Sequence, residues 1–175
     1  HISDIEHPNF EDYFASKLML FAVTDHAYIN TNSDRLSDIE EAAAHCAAVT
    51  TFAVEGDAEY QATHIESDKE GMAFDLHTAA DTYHLTTAMK GIFNVENALA
   101  AALAAYLGGA VIPKIIEVLK SFAGVEHRIE PVATVGGVPY YNDSKATNTD
   151  SAIKALQSFD DHIVLIAGGD DKHTD

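Results

Sequence analysis

Apolar and polar positions change rhythm several times along this chain. Residues 27–32 (AYINTN) form a short apolar stretch that runs into a polar turn, as a strand does. Residues 34–49 read as a helix with a weak apolar face, and 50–54 return to strand character. Three segments follow, 59–65, 71–76 and 82–86, each with two-residue alternation or β-rich composition. In the middle one Met72, Phe74 and Leu76 point one way, and Ala73, Asp75 and His77 the other. Polar turns between them predict a small antiparallel meander. From Asn94 onward, Val95, Leu99, Leu103 and Tyr106 mark one face of a helix that Gly108 and Gly109 end. A second helix starts near Ile112 with Pro113 in its first turn. It carries Ile115, Ile116, Leu119 and Phe122, and closes at Ala123 and Gly124.

The pattern then changes. A strand over 129–135, a Gly136-Gly137 turn and a strand over 138–141 lead into a helix at about 150–158 and a strand at 162–167. The change predicts a boundary near 124–128, with one unit at 1–126 and a second at 127–175. A strand, a lone helix and one more strand cannot cover both faces of a parallel sheet, so the second unit reads as incomplete. The chain opens on His1 without an initiator methionine and ends in a polar segment, so it reads as a piece of a longer α/β protein.

Composition narrows the field. With 47% hydrophobic residues the chain can bury a sizeable core and is not a disordered segment. The 28 acidic residues against 10 basic ones give a net charge of −18, which disfavours nucleic acid and anionic membranes as partners. Cys46 is the single cysteine, so no internal disulfide forms, and with no lysine or arginine flanking it closely it reads as a buried structural thiol rather than a nucleophile. No signal peptide or bilayer-length apolar run is evident, and a reducing cytoplasm fits best. The 10 histidines include no pair at metal-binding helical spacing, so zinc is not expected.

Two polar clusters sit where strands should end, the place where ligands collect in alternating α/β chains. In the first, Lys145 can offer a point charge to phosphate or carboxylate, Ser144 and Thr147 can donate hydrogen bonds, and Asp143 can accept from a ribose hydroxyl or help hold a metal. A capped helix start with Asn148, Thr149 or Asp150 as N-cap explains part of the same cluster equally well. The second is Gly168-Gly169-Asp170-Asp171-Lys172, whose glycines permit close backbone approach but which lacks phosphate-loop spacing. Taken alone, Lys17 reads as a solvent-facing helical lysine. Asn94 and Asn97 lie three apart at a helix start, where capping accounts for Asn94 better than Asn97. Arg128 falls at the inferred junction, a common place for a ligand site and equally for an ion pair in so acidic a chain.

In order, these residues resemble the Mur ligase family, and within it the branch that adds D-glutamate. The most specific match is Tyr141-Asn142-Asp143-Ser144-Lys145-Ala146-Thr147-Asn148. Supporting matches are Gly91-Ile92-Phe93-Asn94-Val95-Glu96-Asn97-Ala98, His127-Arg128-Ile129-Glu130, Gly168 to Lys172 and Tyr13 to Lys17. The resemblance implies the later part of a P-loop-type central ATPase domain followed by the start of a Rossmann-like C-terminal domain. It implies ATP and magnesium, with UDP-N-acetylmuramoyl-L-alanine and D-glutamate as substrates of a full-length monomer.

Carried over by motif, Lys17 would be carbamoylated and bind magnesium with His1, His7 being the alternative. Asn94 and Asn97 would contact adenine, while Arg128 and Asp143 would hold ribose and phosphate. Lys145 would sit by the transferred phosphate, and Ser144, Thr147 and Lys172 on the substrate side, with Thr147 and Lys172 on the D-glutamate carboxylates. Phe93 stands where the family usually has histidine, and Asp171 where glycine is common. No phosphate loop precedes His1, so this chain alone is expected not to turn over. A sister ligase adding another amino acid, a folylpolyglutamate synthase relative and a non-catalytic module of the same fold are the competing readings.

Overall fold

The computed structural model describes residues 7–68, 70–159 and 162–169. Helix α1 (Phe10–Leu18) begins because the Asn9 Oδ1 accepts the Asp12 N–H at 2.9 Å, and a short 3₁₀ turn, Phe21–Val23, follows it. Strand β1 (His26–Asn30) and helix α2 (Leu36–Ala43) lead into β2 (Ala48–Val54). The expected long helix over 34–49 is therefore shorter. Ala48 and Val49 pair with His26 and Ala27 instead, so a parallel ladder overrides the helical preference of the alanine run.

The three segments predicted as a meander are β3 (Tyr60–Ser67), β4 (Met72–His77) and β5 (Thr82–Thr87), joined antiparallel. They do not stand apart. A single five-stranded mixed sheet runs β1-β2-β3-β4-β5, parallel on its first half and antiparallel on its second. The parallel join of β2 to β3 needs no helical crossover, because only Phe52, Ala53 and Val54 pair with Tyr60, Gln61 and Ala62. The chain has to double back by only two residue rises, about 7 Å. Asn32 pins that return: its Oδ1 accepts the Val54 N–H at 2.8 Å and its Nδ2 donates to the Val54 carbonyl at 3.2 Å.

Helix α3 (Ile92–Leu107) buries Val95, Ala98, Leu99, Ala102 and Leu103, and α4 (Ile112–Ser121) buries Ile112, Ile115 and Leu119. These pack with Phe52, Val54, Met72, Phe74, Leu76 and Leu85 into the main core. Each large side chain so buried stabilises the fold by about 1.5–3 kcal/mol. The inward set on β4 is the predicted one. Its outward neighbour Asp75 sits between His64 and His84, whose Nδ1 atoms lie 3.1 and 2.9 Å from its two oxygens. The His84 contact, then that of His64, holds the Asp75 carboxyl below its ordinary range despite the opposing effect of desolvation.

Beyond Gly124, strands β6 (Glu130–Val135) and β7 (Val138–Asn142) form a separate antiparallel pair, and α5 (Thr149–Leu156) follows. The strand expected at 162–167 does not form. Residues 162–169 have no ladder partner among the described residues, and Val164 and Ile166 are each 91% exposed. An apolar β-rich run becomes a strand only where a neighbouring edge accepts its backbone groups. No helix among the described residues is long and apolar enough to cross a membrane.

Candidate functional site

Helix α3 opens one residue past Gly91, whose φ of +93° suits a residue without a side chain. A Cβ there would lie 2.4 Å from Ser158 Oγ and 2.7 Å from the Phe93 ring, so this glycine also permits close approach of the end of α5. Asn94 is thus not the helix cap, contrary to the simplest reading of the sequence. Its Nδ2 donates to the Lys90 carbonyl at 2.7 Å, and the Asn97 Nδ2 donates to Asn94 Oδ1 at 3.3 Å. A carbonyl can only accept, so both amide orientations follow from Lys90. Exposed Asn97 is left with its Oδ1 and one N–H outward, the acceptor–donor pair that reads an adenine edge.

The second group centres on the 127–148 segment. Asn148 is the N-cap of α5, its Oδ1 accepting the Ser151 N–H at 2.8 Å. The helix-cap reading is therefore correct for Asn148, while Asp143 and Lys145 do something else. Asp143 Oδ1 accepts the Ile129 N–H at 3.0 Å, and the Lys145 N–H donates to the His127 carbonyl at 3.0 Å. These two bonds bring Arg128, Asp143 and Lys145 into one neighbourhood. The side chains of Arg128, Ser144, Lys145 and Thr147 are exposed, and Asp143 is half-buried. Glu130 and Asn142, which fall inside the matched motifs but carry no role from the sequence, sit directly opposite each other on β6 and β7. Their adjacency to Arg128 and Asp143 was the available signal.

Lys17 lies in the last turn of α1, with its Nζ 5.4 Å from the Tyr13 ring centroid. It borders a cavity of about 590 Å³ lined also by Phe14, Leu18, Tyr28 and Asn30. Among the described residues no three His, Cys, Asp or Glu side chains gather as a metal cage requires. His7 faces Asp12, with Nδ1 to Oδ2 at 2.8 Å. An ammonium cannot ligate magnesium, so Lys17 as it stands does not fit that ion. His1, Lys172 and the Asp170-Asp171 pair lie outside the described residues.

A mixed sheet backed by α3 and α4, with amides at one helix start and cations beside a hairpin end, defines an α/β protein. Residues 1–105 match the Mur ligase middle domain, and the chain belongs to the Mur ligase family. Two relatives named UDP-N-acetylmuramoylalanine–D-glutamate ligase cover nearly all of it. That of Acidobacterium capsulatum is 37% identical over 184 residues, 97% of this chain and 37% of its own length. That of Koribacter versatilis is 36% identical over 173 residues, 95% of this chain and again 37% of its own. This chain therefore spans little more than a third of those relatives. Among solved structures, MurF from Acinetobacter baumannii superimposes with a TM-score of 0.74 over 85% of this chain and 32% of that one. At 23% identity the likeness is one of fold.

Proposed function

We propose that this chain is part of an ATP-dependent amide ligase that adds D-glutamate to UDP-N-acetylmuramoyl-L-alanine in peptidoglycan synthesis in the cytoplasm. The observation that carries the proposal is the pair of bonds from Ile129 to Asp143 and from Lys145 to His127, which gather the motif-matched Arg128, Asp143 and Lys145 in one place. In this reading residues 1–126 are the later part of a P-loop-type central domain and 127–175 begin a Rossmann-like domain.

The alanine carboxylate attacks the γ-phosphorus of ATP and ADP leaves, giving an acyl phosphate. The amine of D-glutamate attacks that carbonyl, loses a proton and expels inorganic phosphate as the amide forms. Asn97, oriented through Asn94, reads adenine, and the second oxygen of Asp143 accepts from ribose. Arg128 and Lys145 offset negative charge as it moves between phosphate oxygens, where fixed cations lower the barrier most. Ser144, Thr147 and Lys172 take the incoming substrate, the last two its carboxylates. Lys17, once carbamoylated, would gain the anionic oxygens it now lacks and could hold magnesium with His1 or His7.

The test is ADP release by the full-length gene product supplied with UDP-N-acetylmuramoyl-L-alanine and one amino acid at a time. D-glutamate should support turnover and other amino acids should not. Equal or better rates with another amino acid would overturn the substrate assignment, and turnover unchanged in Lys145→Ala would remove its role.

A further inference from the structure

His127 and Ile129 both adopt positive φ, +68° and +45°, on either side of Arg128. Neither is glycine, and Ile129 is β-branched, for which this conformation is a true outlier. Such a backbone persists only where its surroundings over-determine it. Here every N–H of the three consecutive residues is held. The His127 N–H donates to Glu130 Oε2 at 2.9 Å, the Arg128 N–H to the Val125 carbonyl at 3.1 Å, and the Ile129 N–H to Asp143 Oδ1 at 3.0 Å.

Asn142 closes the arrangement. Its Oδ1 accepts the Ser144 N–H at 3.1 Å, and because a backbone N–H can only donate, the amide orientation is settled. Its Nδ2 then points to Glu130 Oε2 at 3.3 Å and His127 Nδ1 at 2.8 Å, so that ring nitrogen accepts. Glu130 and Asn142 are register partners in the β6–β7 ladder, so the hairpin itself sets their spacing. One end of the hairpin therefore grips the strained 127–129 segment, while Ser144 and Lys145 are tied to the same grip.

We propose that Glu130 and Asn142 are positioning residues that clamp His127, thereby fixing Arg128 and making the 127–129 and 143–145 segments move as one body. The proposal rests on the reading of Arg128 as a nucleotide ligand. Neither Glu130 nor Asn142 needs to touch the nucleotide. Their effect passes through the placement of Arg128.

The experiment uses the full-length gene product, with ADP affinity measured by calorimetry and amide hydrogen exchange followed over 127–129 and 143–145. Glu130→Ala and Asn142→Ala should each weaken ADP binding about tenfold, the scale of one lost hydrogen bond, with kcat changed less than the KM for ATP. Glu130→Gln keeps an acceptor for the His127 N–H and should restore most of the affinity. In an Arg128→Ala background, Glu130→Ala should add nothing, because the two act through one side chain. Unchanged affinity in both alanine variants, or an equal further loss in the Arg128→Ala background, would overturn the proposal. If the unaltered protein bound no ADP, the nucleotide reading would fail. The clamp would then be judged by exchange alone: faster exchange at 127–129 in Asn142→Ala supports it, and unchanged exchange refutes it.

Discussion

Gly71→Ala should cost the fold about 3 kcal/mol, through a clash that is specific to one carbonyl. Gly71 opens β4 at a φ of +146°, and a Cβ built on it lies 2.0 Å from the Thr87 carbonyl oxygen and 2.8 Å from Ala88 Cα. Real Cβ atoms essentially never come within 3.0 Å of such atoms, so the backbone has to withdraw by about 1 Å. Its neighbour Met72 pairs with Thr87, so withdrawal opens the end of the β4–β5 ladder. It also strains the turn in which the Gly71 N–H donates to Asp68 Oδ1 and the Gly71 carbonyl accepts the Asp68 N–H, both at 3.0 Å. Backbone strain of about 1–3 kcal/mol and one or two weakened hydrogen bonds of about 1 kcal/mol each give the total. Urea unfolding followed by circular dichroism should show the midpoint falling by about 1–2 M, and the melting temperature by about 6–12 °C. Gly136→Ala is the control: its φ is +59° but nothing lies within 4 Å, so only the left-handed strain of about 1 kcal/mol applies. If Gly71→Ala shifts the midpoint no further than Gly136→Ala, the close approach of Thr87 does not control this position.

Two further outcomes test the packing and the outer face of the sheet. Leu99→Ala, at a fully buried position in α3, should destabilise by about 2–5 kcal/mol in the same urea assay, and a loss below 1 kcal/mol would show that α3 does not hold the core. Asp75 has a folded-state pKa lowered by His84 and His64, so its carboxylate adds stability above its unfolded value near 3.8, which is lost as pH falls through the lower folded value. Asp75→Asn should therefore narrow its stability gap from the unaltered chain as pH is lowered from 6 to below 3.8, and a gap that stays constant would contradict the pairing.

Local signals in the sequence carried the helices well. The spacing of Val95, Leu99 and Leu103 marked the buried face of α3, although Tyr106 is only partly buried, and Pro113 marked the first turn of α4. The alternation on β4 likewise told its inward from its outward residues. Non-local information was missing. Nothing near residues 44–49 announces that Ala48 and Val49 will pair with β1, or that three residues of β2 will carry the meander into one larger sheet. Residues 162–167 show the converse, a strand-like run without a strand, because pairing is decided by a neighbour rather than by composition. At the site, residue chemistry pointed to Asp143 and Lys145 and correctly offered Asn148 as a cap. It could not reveal that one oxygen of Asp143 holds the Ile129 backbone, since the two lie apart in sequence and meet only across a hairpin.

Helix α1 has no buried residue, and Arg35, just before α2, reaches across to it. That guanidinium reaches Glu11 at 3.1 Å and Asp38 at 2.6 Å while its carbon lies 4.6 Å from the Phe14 ring centroid. Exposed ion pairs of this kind contribute little and weaken as salt screens them. The helix can thus open as a separate cooperative unit, at a free energy well below that of global unfolding, while the core of α3, α4 and the sheet stays closed. Lys17, already exposed, rides on that unit, so the order of its surroundings rests on a lightly held surface helix rather than on the main core.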